Sequence, residues 1–235
     1  MRVDPMRDGV AVAGGRPVAR VAWALLWLAL AAFAAEFVRH VYLKYAALES
    51  PAYAMFLTRR GWLWCHLGGG AAGIALGTLQ FLTQRWRRHA WAHRWVGRAY
   101  FAGMLVAMLG ATGLIATSPA PMVIRVAFAA TEAAWLVVAS VGLVAIRRGQ
   151  VRQHRRWMVL AYLVTLAPVV FRIALYAAVG AGIAPSPGTI AALLWASWAV
   201  PLLIHVVVST IANAARGDVR LSAARLGASA GIDAR

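Results

Sequence analysis

Apolar residues in this chain come in six long runs, and arginines gather at every second gap between them. A run of about 20 apolar residues matches the thickness of a bilayer's hydrocarbon core. Inside that core the backbone must satisfy its own hydrogen bonds, so such runs cross as helices. The predicted fold is therefore all-α, a six-helix transmembrane bundle. With 235 residues, 62% of them hydrophobic, six spans and their connections use up the chain and leave no room for a second, soluble domain.

The spans are predicted at Val18 to Val38, Gly61 to Leu82, Val96 to Thr117, Met122 to Ile146, Trp157 to Ile183 and Thr189 to Asn213. Residues 1–17 read as a disordered basic tail, 18–213 as the six-span domain and 214–235 as a basic cytoplasmic tail. The second connection carries Arg85, Arg87, Arg88 and Arg94, and the fourth carries Arg147, Arg148, Arg152, Arg155 and Arg156. The third and fifth, around Pro119 and Pro187, carry no Lys or Arg. Positive residues stay inside, which puts both termini and the two arginine-rich connections in the cytoplasm of a bacterial-type plasma membrane. The first connection dissents, because Arg39, Lys44, Arg59 and Arg60 then lie outside. Its three tyrosines and Glu49 suggest a partly helical interfacial segment. A cleaved signal peptide competes for the first span, since Ala32-Phe33-Ala34 resembles a cleavage site, although the apolar run continues to Val38.

A formal charge of +17 points to nucleic acid in a soluble protein. Here the arginines flank spans, so their expected partners are membrane lipids, through anionic headgroups at the cytoplasmic face, and no nucleic acid. Other membrane subunits or a second copy of the chain remain open as partners. The single cysteine, Cys65, excludes an internal disulfide and a multi-cysteine metal site.

Polar residues inside apolar spans are costly, so they mark where function is to be sought. On the second span, His66, Gly70, Gly73, Gly77 and Gln80 are spaced four, three, four, three and share one helix face. Missing side chains along that face admit either a close-packed neighbouring helix or the groove of a flat cofactor. His93-Arg94-Trp95 opens the third span and His154-Arg155-Arg156-Trp157-Met158 the fifth, followed by Tyr100 and Tyr162. The repetition suggests a weak duplication, with spans two and three as one hairpin and four and five as another. Related repeats would bring His93 and His154 together at the cytoplasmic end. His205, one turn after Pro201 in the sixth span, reaches the same depth at about 1.5 Å per residue. Three imidazoles at one depth admit haem or metal ligation, with His93 and His154 as the metal ligands. The alternative for His93 and His154 is interfacial residues helping the arginines bind lipid phosphate. Whether His40 neighbours His66 is left open. Glu132 and Arg172 fall at similar depths in spans four and five, and an intramembrane ion pair between them is expected, with Glu36 as a rival for Arg172. Pro168, one turn before Arg172, is expected to free the carbonyl of Val164.

On His66, Gly70, Gly77, Gln80, the His93-Arg94, Gly97-Arg98 and Tyr100 group, and His154-Arg155-Arg156-Trp157-Met158, the chain resembles a family of six-span prokaryotic membrane proteins of unknown function. The resemblance covers roughly Gly61 to Arg172 and implies no activity. More distantly, the chain is similar to the ascorbate-type transmembrane cytochromes b, six-span bundles whose haems are held by histidines of spans two and four and of spans three and five. That likeness implies haem b with His93 and His154 as axial ligands. The separation of 61 between those two places the counterpart of His66 at Ala127, so at most one bis-histidine site of that pattern is kept. The leading expectation is a haem-b-binding membrane protein in electron transfer, with His205 as a substitute ligand or supporting residue. The rival expectations are a non-enzymatic structural or assembly subunit and a small proton-coupled transporter. No nucleophile–base pattern argues for a hydrolase.

Overall fold

The computed structural model describes residues 54–83 and 90–232, with isolated positions between 21 and 44. They fall into two units, Met1–Met55 and Phe56–Arg235. In the first, residues 39–44 are helical. Arg39 donates from Nε and Nη2 to the two carboxylate oxygens of Glu36 at 2.7 and 2.6 Å, so Glu36 is engaged by a neighbour three residues away. The expected tail 1–17, the candidate cleavage site and the first span, apart from isolated helical positions, lie outside the described residues.

The described residues of the second unit are helical apart from short turns. After a 3-10 turn at Leu57–Arg59 come α1 (Arg60–Thr83), α2 (Ala90–Ala116), α3 (Met122–Arg147), α4 (Val151–Thr165), α5 (Ala167–Gly180) and α6 (Pro187–Ile232), with no strand among the described residues. Among the described residues, three segments are individually long and apolar enough to cross a membrane: Ala90–Ala116, Met122–Arg147 and Pro187–Ile211. α4 and α5, bent by 43° at their junction, make a fourth when taken as one span. α1 has the length, at 24 residues, but its six glycines dilute its apolar content. Leu105, Leu109, Val137 and Leu203 are each more than half exposed. In a lipid-facing helix such outward apolar side chains carry no penalty, because the solvent there is hydrocarbon. The molecule is a helical membrane bundle.

Helix ends follow local chemistry. α3 stops where Gly149 takes φ 72°. Its amide reaches the carbonyl of Ile146 at 3.0 Å, and Gln150 N–H reaches Ala145 at 2.9 Å. α5 closes in the same way on Gly182, at φ 80°, with Ile183 N–H on Ala178 at 2.9 Å. These are glycine C-caps, where a left-handed residue lets the chain fold back on the last carbonyls. At the start of α6, Ser186 Oγ accepts from Thr189 N–H at 3.1 Å, and Pro187 fills the first helical position, where no amide is needed.

Two boundaries differ from the sequence reading. The third span was predicted from Val96, but α2 starts at Ala90, so His93 and Arg94 sit in its first two turns rather than in the connection. The fifth span is not one helix. The chain breaks at Leu166, whose amide still bonds Tyr162 at 3.1 Å, and α5 restarts with Pro168 in its first turn. A proline there lacks only an amide that would be unpaired anyway, so the break falls ahead of it.

α1 lies along α2, and α3 along α4; α6 packs on α3, α4 and α5, while α2 meets α3 and α1 meets α4. Two hairpins thus stand side by side. The main core joins Met104 and Met108 of α2, Val138 and Ala139 of α3, and Leu160, Ala161 and Val164 of α4, with Trp198 and Leu202 of α6 against it. A smaller cluster of Ala127, Ala191 and Leu194 with Phe171 holds α3, α5 and α6 at the other end.

Candidate functional site

The glycine face of α1 is where sequence and structure meet most closely. A Cβ on Gly77 would meet the ring of buried Tyr162 and, at 3.4 Å, that of Tyr100. A Cβ on Gly73 would touch Trp135 at 3.5 Å and Thr165 at 3.6 Å. The expected groove is therefore filled by the protein's own side chains at two of its three glycines. Gly70 alone of the three has nothing within 4 Å of a built Cβ. Gly69, on the flank, lies against the backbone of Gly103 and Ala107, and Gly110 of α2 against the backbone of Trp62 and His66. That approach is closer than any side chain allows.

What fills the face is a polar network with a fixed direction. Thr165 donates to the carbonyl of Ala161 at 2.9 Å, so the Tyr100 hydroxyl donates to Thr165 Oγ1, also at 2.9 Å. Tyr100 in turn accepts from Trp135 Nε1 at 3.1 Å. Thr78 donates to the carbonyl of Ile74 at 2.9 Å, so Tyr162 donates to Thr78 Oγ1 at 2.6 Å. Each tyrosine thus donates to a threonine whose own proton is spent on its helix. Tyr100 ties α2 to α3 and α4, and Tyr162 ties α4 to α1. The sequence reading noted both tyrosines only as companions of the histidines, and passed over Thr78, Trp135 and Thr165. The available signal was a hydroxyl within an apolar helix, which has to find a partner inside the bundle.

At the arginine-rich end, each histidine is held by its own hairpin. His154 Nδ1 donates to the carbonyl of Gly142 on α3 at 2.8 Å. A carbonyl only accepts, so Nδ1 carries a proton and Nε2 is the ring nitrogen not engaged by this bond. His93 places Nδ1 3.3 Å from Thr83 Oγ1, and its carbonyl accepts from Gln80 Nε2 at 2.6 Å. The two α1 residues thus clamp the first turn of α2. His154 and Arg155 act electrostatically on His93. The pair expected to meet does share one end of the bundle. His205 lies seven residues after Trp198, on the face of α6 that turns toward the core. The Trp198 Nε1 donor there is buried without a hydrogen-bond partner. No group of three or more His, Cys, Asp or Glu able to hold a metal ion assembles among the described residues. His205 does not complete a triad with His93 and His154.

At the opposite end, His66 Nδ1 donates to the carbonyl of Ala107 at 3.1 Å, and Glu132 is its charged neighbour. Glu132 accepts from Thr112 Oγ1 at 2.7 Å. The ion pair expected between Glu132 and Arg172 is not formed: Glu132 finds its donor on α2, while Arg172 sits beyond the bend, on α5. Depth along straight helices suggested the pairing, and the broken fifth span is what a straight count leaves out. Arg125 donates from Nε to the carbonyl of Ile115 at 3.0 Å and caps the end of α2.

Residues 63–209 match the family described as Predicted membrane protein (DUF2306). No curated protein and no solved structure matches the chain.

Proposed function

We propose, for a chain that belongs to this DUF2306 family of predicted membrane proteins, that it is a haem-b-binding electron carrier of the bacterial inner membrane, with His93 and His154 as the axial ligands. In this reading the bundle has six spans, and the arginine-rich end with both termini faces the cytoplasm. The observation that carries it is the anchoring of His154 through Nδ1 to a backbone carbonyl, with His93 as its electrostatic neighbour. A donor bond at Nδ1 fixes the ring and leaves Nε2 basic, which is how ligating imidazoles are commonly oriented. The donor set therefore fits a bis-imidazole site, with His205 and the unpartnered Trp198 indole as supporting groups on α6. Haem held this way supplies one-electron transfer. The chain's own residues orient the rings, and the packed tyrosine network below them excludes water. Gly73 and Gly77, filled by Trp135, Thr165 and Tyr162, belong to that packing and not to the cofactor wall.

The test is an absorption spectrum of protein purified from membranes, before and after dithionite. A Soret band that shifts on reduction, is lost in His154→Ala and persists in His66→Ala is the expected result. Protein that stays colourless after haem supplementation overturns the reading. The filled glycine face favours a second reading, a structural or assembly subunit. Its signature is colourless protein that co-purifies with a larger membrane complex.

A further inference from the structure

We propose that Gln80 and Thr83 of α1 are positioning residues for His93, and that Gly97 is the notch that lets Gln80 reach it. The role of His93 as a ligand rests on the haem reading; the local geometry does not. His93 lies in the first turn of α2, which starts at Ala90. Helix ends lack part of their hydrogen bonding and open first. An imidazole placed there is held only if something outside its own helix holds it.

The end of α1 supplies that hold. Gln80 Nε2 donates to the carbonyl of His93 at 2.6 Å. In an α-helix the amide four residues on, here that of Gly97, bonds the same carbonyl. A carbonyl has two lone pairs and can serve both donors. The second donor enters because residue 97 has no side chain: a Cβ there would stand 3.1 Å from Gln80 Nε2 and 3.8 Å from its Cδ. Thr83, three residues beyond Gln80 on the same face of α1, is buried. Its hydroxyl donates to the carbonyl of Leu79 at 2.9 Å. With that proton spent, Oγ1 accepts from His93 Nδ1, at 3.3 Å. His93 is thus the Nδ1–H tautomer, with Nδ1 turned toward α1 and Nε2 not engaged by this bond. His154 reaches the same arrangement through a backbone carbonyl. One imidazole is set by backbone, and the other by two side chains of a neighbouring helix.

The test reads the imidazole nitrogen shifts of the purified chain, with and without haem. In Gln80→Ala and in Gly97→Ala the His93 signals should move while those of His154 stay in place. Gly97→Ala should add nothing in the Gln80→Ala background, because a Cβ there acts through the amide it displaces. Haem affinity should fall about ten-fold in each single variant, the lower end for groups that orient a ligand. Thr117→Ala, which removes a side-chain bond to Gly113 at the far end of α2, should leave both readouts unchanged. An unshifted size-exclusion profile confirms that each variant is folded. A parent chain that never takes up haem overturns the haem reading and leaves the imidazole shifts to decide the positioning role. Unmoved His93 signals in both variants overturn that role, as does equal movement of His93 and His154, or a haem-loaded Gln80→Ala chain with the parent's affinity.

Discussion

The first hairpin, α1 with α2, and the second, α3 with α4, carry similar histidine and tyrosine motifs and pack by different means. In the first, backbone lies on backbone: Gly69 meets Gly103 and Ala107, and Gly110 meets Trp62 and His66. In the second, side chains fill the gap, and Gly142 faces the thioether of Met158 and the Cβ of Trp157. The first hairpin keeps its helices unbroken, while the second breaks at Leu166. Their histidines differ accordingly. His154 donates to a carbonyl at 2.8 Å, whereas His93 meets, at a longer 3.3 Å, a hydroxyl whose own proton is spent on Leu79 of its helix. Packing decides which acceptor each ring meets.

The sharpest way to break this comparison is to add one methyl group to each hairpin. Gly110→Ala forces two backbones apart and is expected to cost about 3 kcal/mol, the upper range for overpacking. Gly142→Ala meets a flexible thioether at 3.0 Å and is expected to cost under about 1 kcal/mol. Unfolding in mixed detergent micelles measures both, and equal losses would show that the hairpins pack alike. A smaller difference should separate the tyrosines. Tyr100→Phe removes a donor to Thr165 and orphans the Trp135 indole, for about 2 kcal/mol, while Tyr162→Phe removes one bond to Thr78, for about 1 kcal/mol. The same unfolding assay ranks them, and a reversed order would place the weight of the network on α1 instead of α3. Smallest is Thr83→Ala, which takes away the hydroxyl beside His93 and is expected to cost about 0.5 kcal/mol. Nitrogen chemical shifts of the two imidazoles sharpen the contrast: His154 should stay an Nδ1–H ring, and only the His93 signals should move.

Much of the fold was legible. α1 and α3 begin and end within a residue of their predicted bounds, because long apolar runs between polar ends leave the chain one economical choice. The shared face of His66, Gly73, Gly77 and Gln80 was also legible from spacing, and these residues do turn toward neighbouring helices. The occupant of the face was not. A run of glycines records only that something approaches closely, and Tyr162 comes from a helix more than 80 residues away along the chain. The Glu132–Arg172 pairing failed for a related reason. It assumed two straight helices, and the fifth span is bent by 43° at the junction of α4 and α5, with Arg172 beyond the bend.

The sequence alone determined that this chain belongs in a bilayer as helices and where its imidazoles fall along them, because hydrophobicity and helix rise act locally. Only the tertiary structure decided what fills the glycine face, which donor serves Glu132 and which carbonyl His154 meets. Those choices depend on which helices become neighbours, and that is settled by packing summed over the whole bundle rather than by any one segment.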